Sequence, residues 1–202
     1  MTRIKKLRGL RLHDFLRSAR SAFPLNPPAQ PGQANRSAAA SGDASIAALA
    51  LLQKSDLFGR LGTASLAALA EKSRFVEYAR KESIVAPAER PQGIYLVESG
   101  LVKLVFYSYR GHEKSIALLG AGKAFGQAEC FSGKPMHCHA LCLLPARVLL
   151  LGKAAVRSMA ETNAQFGLCI IDCLSRQYDA LVRDIKYTSG YGASQRIVSF
   201  LL

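Results

Sequence analysis

The chain has 202 residues, half of them hydrophobic, with a net charge of +13 and a pI near 9.9. That length can bury one real core with residues left for an appendage; no apolar run approaches the ~20 residues that span a bilayer, and no secretory signal is present. The five cysteines, Cys130, Cys138, Cys142, Cys169 and Cys173, give neither an even disulfide framework nor a CxxC zinc pair, so the chain reads as a cytoplasmic protein with reduced, packed thiols.

The charge is uneven. Residues 1–45 hold eight Lys/Arg against Asp14 and Asp43, a net +6, and such a balance favours polyanionic partners. Over Met1–Phe23, Ile4, Leu7, Leu10 and Phe15 recur about one helical turn apart among basic residues. That pattern fits a membrane-surface helix, a DNA-contacting arm or a solvated tail. Pro24–Ser45, rich in Pro, Ala, Ser, Gln and Gly, has too little apolar bulk to order itself and reads as a disordered linker. The domain boundary falls near Asp43.

Ile46–Lys54 and Thr63–Lys72 carry helical apolar spacing, with Thr63 as N-cap of the second. From Phe75 the period changes. Short β-rich runs are predicted at Arg74–Tyr78, Ile84–Val85, Ile94–Glu98, Val102–Tyr109, Lys114–Leu119, His137–Leu143 and Val148–Leu151. Turn formers separate them, among them Ser99-Gly100, Arg110-Gly111, Ser132-Gly133 and Leu144-Pro145. Many short strands at near-even spacing argue a sandwich or barrel.

After Gly152 the period returns to helix, over Lys153–Glu161 and then from Ala164 to about Tyr187. On the long helix Ile171, Leu174, Tyr178, Leu181 and Ile185 step by 3, 4, 3 and 4, a heptad seam. Such a helix either pairs with a second copy or packs on its own β region. Thr188-Ser189-Gly190-Tyr191-Gly192 is expected to break it, and a new amphipathic segment begins at Ser194.

This order of elements, with Gly93-Ile-Tyr-Leu-Val-Glu-Ser-Gly100-Leu-Val-Lys-Leu and Leu119-Gly-Ala-Gly-Lys-Ala-Phe-Gly126, resembles the cyclic-nucleotide-binding-like sensor domain. The ending Gln195-Arg-Ile-Val-Ser-Phe-Leu-Leu202 resembles the first helix of the DNA-binding domain in Crp/Fnr-type transcription regulators. The resemblance covers about Leu49–Leu202. It implies a mainly β fold with helices: a double-stranded β-helix, a jelly-roll-like β-roll, flanked by N-terminal helices and a long C-terminal dimerisation helix. On that basis 1–45 is a basic extension and linker, 46–163 the β-roll, 164–188 the dimerisation helix, and 189–202 a hinge and the start of a DNA-binding domain whose helix-turn-helix this chain lacks.

In the family a cyclic phosphate sits on backbone N–H groups at a glycine turn, paired with an arginine, while an acid accepts from the ribose hydroxyl. The resemblance places the effector pocket at Gly122, Phe125, Gly126, Gln127, Met136, His137 and Cys138. Gln127 stands where the acid would be and Met136 where the arginine would be. The purine-contacting hydroxyls fall at about Leu181 and Val182. Lys134 and Arg147 are the cations that could substitute, because an unpaired phosphate in an apolar pocket is costly. Ala88 replaces a turn glycine, which predicts an altered loop.

Strand alternation puts His137 and His139 on one face and Cys138 and Cys142 on the other. Two imidazoles could hold a metal or haem iron, or form an exposed, locally satisfied pair. Cys130 or Cys138 could be a redox thiol, and the pocket could equally be empty or filled by side chains; no cofactor is assigned.

The sequence contains no nucleophile elbow, P-loop or paired carboxylates in a glycine-lined site, so an enzyme is not expected. The reading is the effector-sensing and dimerising region of a Crp/Fnr-like regulator, homodimeric through Ile171, Leu174, Tyr178, Leu181 and Ile185. It would not answer cyclic AMP through the usual phosphate–arginine contact, would take an unidentified small-molecule effector, and would meet DNA only through the missing domain. A stand-alone adaptor with a membrane- or nucleic-acid-attaching basic arm is the alternative from another class, and a His137/His139 haem or metal sensor is a third.

Overall fold

The computed structural model describes residues 41–107 and 112–190. The basic arm, the linker up to residue 40, the Arg110-Gly111 turn and the segment resembling a DNA-binding helix lie outside the described residues.

In chain order the elements are α1 (Ser41–Lys54), α2 (Thr63–Glu71), β1 (Ser73–Tyr78), β2 (Ser83–Val85), β3 (Gly93–Tyr107), β4 (Glu113–Leu119), β5 (Ala124–Phe125), α3 (Gln127–Ser132), β6 (His139–Gly152), α4 (Lys153–Thr162) and α5 (Ala164–Gly190). One six-stranded sheet has the path β1-β6-β3-β4, with β2 on β6 and β5 on β3, and every pairing is antiparallel. This mainly antiparallel roll with flanking helices is the jelly-roll architecture expected.

Several boundaries differ. Helix α1 starts at Ser41, inside the expected linker, with Asp43 in its first turn where a carboxylate favours the helix dipole. Gly62, not Thr63, caps α2, and its carbonyl accepts from the N–H groups of Ser65 and Leu66. Helix α5 runs to Gly190, three residues into the segment expected to break it. Its start is fixed by Asn163, whose Oδ1 accepts from the Phe166 N–H at 3.1 Å while Nδ2 donates to Ser65 Oγ at 2.8 Å.

The larger difference lies in the sheet. Ser99-Gly100 and Leu144-Pro145 do not end strands; they form a corner inside one continuous ladder. Strand β3 pairs with β6 from Gly93↔Gly152 to Val105↔His139, with register shifts around Ser99–Leu101. Gly100, at φ +88°, makes this possible, since a Cβ there would lie 2.2 Å from the Pro145 carbonyl oxygen. A bulge bends a strand without breaking the sheet, and a proline at a register break forfeits no ladder bond.

The ladder separates two cores. On one side Ile94, Leu96, Leu149 and Leu151 pack with Leu52, Leu66, Val156 and Phe166 of the helices, where Phe58 and Phe166 stack at 5.6 Å. Each fully buried aromatic there contributes about 2–3 kcal/mol of transfer energy. On the other side Tyr95, Val97, Val148 and Leu150 face the roll interior. Beyond the bulge the inward residues of β3 change parity, to Val102 and Leu104.

Ala88 holds φ +67°, so its backbone keeps the left-handed conformation that glycine adopts freely. Two substitutions should therefore move stability in opposite directions under chemical denaturation. Ala88→Gly should stabilise by about 0.5–1 kcal/mol, the left-handed strain less the glycine entropy. Gly100→Ala should cost at least about 2 kcal/mol through backbone overlap.

Candidate functional site

The glycine turn before β5 is closed on itself: Gly122 N–H donates to the Val97 carbonyl and Val97 N–H to the Lys123 carbonyl, both at 2.9 Å. Gly122 (φ +82°) lies outside the roll, where with Ala47, Leu51, Lys54 and Glu98 it lines a cleft of about 460 Å³ against α1. Gly126 is the tighter position. A Cβ there would meet the Gly93 carbonyl oxygen at 2.9 Å and the Tyr95 ring at 3.3 Å. Only glycine lets the chain turn into α3 beside the Tyr95–Phe125 stack, whose centroids lie 4.9 Å apart.

Phe125, Met136 and Cys138 share the roll interior with Val85, Tyr95, Val97, Val102, Ala140, Cys142, Ala146, Val148 and Leu150. The buried polar side chains among the described residues are Ser55 and Gln127, so no charged side chain is buried in the roll. Met136 is held from both sides of its backbone: its N–H donates to the Glu89 carbonyl at 2.8 Å and its carbonyl accepts from the Ala88 N–H at 3.0 Å. Burial raises the Tyr78 and Tyr95 phenols above their ordinary value, which leaves them neutral as an ordinary phenol is.

The remaining expected pocket residues lie elsewhere. Gln127 is 2 % exposed but turns toward the long helix, where Nε2 donates to Cys173 Sγ at 3.6 Å and Oε1 has no partner among the described residues. His137 is exposed and His139 half-buried. His137 lies in the bend before β6, which begins at His139 and not at His137 as expected, and His139 meets Tyr107 edge-on at 5.4 Å. Among the described residues no group of three or more His, Cys, Asp or Glu could hold a metal ion.

Neither substitute cation reaches the interior. Lys134 is exposed. Arg147 projects from the helix-facing side of β6, 3.9 Å over the Phe75 ring, with Nη1 donating to both Glu98 oxygens at 2.8 and 2.7 Å and Nε 3.7 Å from Glu77. The guanidinium is thus engaged by two carboxylates and an aromatic face on the helix-facing side of the sheet, away from the roll interior.

All five thiols are raised by burial, Cys142 to about 12. Glu129 adds to the effect at Cys138, while Lys153 and Arg157 oppose it at Cys130. Raised thiols hold little thiolate and react slowly with oxidants.

The long helix divides along its length. Phe166, Cys169 and Ile170 are buried, and Cys173 and Leu174 pack at the edge of the same core. From Ser175 to Lys186 the helix is exposed, so packing of this half on its own roll is not observed. Leu168, Ile171, Tyr178, Leu181, Val182 and Ile185 all present large apolar surface. Of the expected seam, Ile171, Tyr178, Leu181 and Ile185 are in this stripe, whereas Leu174 packs on its own core and Leu168 and Val182 were not expected. Sequence spacing missed Tyr95 as a lining residue, because Gly93–Val97 is buried on both faces and shows no alternation. Among the described residues no helix is long and apolar enough to cross a membrane.

Residues 75–163 match the family model described as "Cyclic nucleotide-binding domain". The chain is 22% identical over 127 residues to the CRP-like cAMP-activated global transcriptional regulator of Mycobacterium tuberculosis, covering 63% of this chain and 57% of that protein. It thus spans little more than half of that relative's length. Among solved structures, the sensor domain of the transcriptional regulator DNR from Pseudomonas aeruginosa superposes with a TM-score of 0.61 at 22% identity, over 70% of this chain and 95% of that one. The Thermus thermophilus Catabolite Activator Protein gives 0.61 at 23%, over 67% and 63%. At these identities the structural likeness establishes the fold.

His139 supplies a pH test. Burial lowers its pKa from 6.5, with Glu89 opposing. The unfolded chain therefore binds the proton first as pH falls below about 6.5, and that part of the stability is present above this value and lost below it. The melting temperature should drop between pH 7.5 and 5.5, and His139→Gln should flatten that drop.

Proposed function

We propose, from the match of residues 75–163 to the family model described as "Cyclic nucleotide-binding domain", that this chain is the effector-sensing and dimerising region of a Crp/Fnr-like transcription regulator. The observation that carries the reading is the exposed apolar stripe on α5, anchored at its N-terminal half in the core beneath the roll. A helix rooted in a sensor domain and apolar on its outer face is suited to join two copies and transmit a change between them. The relatives named as transcriptional regulators support a regulatory output, and contact with DNA belongs on this reading to a domain other than the β-roll.

The effector mode departs from the phosphate–arginine contact. Met136, which the resemblance puts in the arginine's place, is buried, Gln127 is turned toward α5, and Arg147 is engaged outside the roll interior. An effector entering the roll would meet an uncharged apolar lining with two neutral phenols. A cyclic phosphate would lose its hydration there without a cation in return.

Sedimentation equilibrium tests the reading. The wild-type chain should sediment at twice 21.8 kDa. Tyr178→Asp, exposed and remote from the core, should weaken the dimer roughly a hundredfold or more, since the two-fold pairing would bury two like charges, with the melting of the roll unchanged. A wild-type chain that is monomeric at every concentration overturns it.

A further inference from the structure

Leu174 is half-buried against its own chain's core, as is Cys173, so at this level of the helix the exposed surface is shifted to one side. What faces outward there is Leu168, 58 % exposed, Ile171, 61 % exposed, and Ser175. Continuing along the same side come Tyr178, Val182 and Ile185, at 66, 45 and 54 %. These positions step by 3, 4, 3, 4 and 3. This is a complete heptad line, one residue further round than Leu174 and Leu181 at alternate positions. A 3.5-residue apolar repeat matches a surface of the same pitch, a second helix.

Beside the first half of this line lies a groove of about 390 Å³ between α5 and the loop joining α1 to α2. Leu57, Arg60, Leu168, Cys169, Ile171 and Ser175 line it. Its charged rim is Asp172, 3.6 Å from Arg60 and 2.5 Å from Arg176. Further along, Asp179 and Arg183 continue the alternation of sign beside the apolar line. Alternating signs on one surface are complementary to a second copy of that surface and give no preference for a uniformly charged partner.

We propose that the partner copy's long helix lies along Leu168, Ile171, Ser175, Tyr178, Val182 and Ile185 and seats its N-terminal half in the groove walled by the Asp56–Arg60 loop, so that this loop is part of the dimer interface. The proposal rests on the reading of α5 as the dimer helix and specifies which of its faces is used. Ser175, the small residue in the line, allows close approach of the two helices at the groove.

Disulfide trapping between neighbouring positions separates the two faces, since Val182 and Leu181 are both exposed but point about 100° apart around a helix. Under mild oxidation Ser175→Cys and Val182→Cys should form intermolecular disulfides roughly tenfold faster than Leu181→Cys, because only facing positions bring Cβ atoms within bonding reach. Trapping of Leu181→Cys as fast as Val182→Cys overturns the assigned face. For the groove, Leu168→Asp should weaken dimerisation roughly tenfold or more. A Leu168→Asp variant as dimeric as wild type, when Tyr178→Asp is monomeric, overturns seating in the groove alone. If Tyr178→Asp is also fully dimeric, the reading of α5 as the dimer helix falls with it.

Discussion

The antiparallel pairing of β3 with β6, from Gly93↔Gly152 to Val105↔His139, is the constraint on which the other elements depend. Because side chains alternate across a strand, one pairing assigns each residue of two long strands to a side. It delivers Leu149 and Leu151 to the helices and Val148 and Leu150 to the roll. The corner at Gly100 and Pro145 lets the same ladder bend and resume with shifted parity. The corner itself is largely exposed, and the buried stretches Gly93–Val97 and Val148–Leu151 lie to one side of it.

Two consequences meet at α3. The left-handed Gly126 turns the chain beside Tyr95, and the short helix that follows is trapped between roll and long helix. Gln127 is thereby committed to Cys173 by a weak N–H···S bond with its carbonyl oxygen unused, while Met136 is delivered to the interior. The same pairing that forms the core decides that the polar residue nearest the glycine turn looks away from the roll and the apolar one looks in.

Most of the element order was legible in the sequence because periodicity changes twice, at Phe75 and at Gly152, and because the long helix carries a heptad pattern; the short helix α3 was not expected. Alternation separated His139 from Cys138 and Cys142 but did not say which face was outward, and His137, expected in the pocket, is exposed before β6 begins. The continuity of β3 and β6 was not legible, since Ser99-Gly100 and Leu144-Pro145 have the composition of turns and only the facing strand makes them corners. The two-residue β5 is too short for any period. Nor could spacing show that Gln127 faces α5 or that Arg147 is engaged by Glu77 and Glu98, because both depend on contacts between residues far apart in the chain. On α5 the heptad was visible but its face was not: Leu174 and Ser175 are equally compatible with the repeat until the core claims one of them.

Tyr95, Phe125 and Met136 give the roll interior an uncharged lining, and on the proposed reading it offers a cyclic phosphate no cation. Isothermal titration of the intact chain with cyclic AMP and cyclic GMP tests this most directly. The account predicts no saturable heat up to about 1 mM ligand, which corresponds to a binding free energy no stronger than about −4 kcal/mol. Saturable binding at micromolar concentration, abolished by substitution of a residue lining the roll interior, would contradict it.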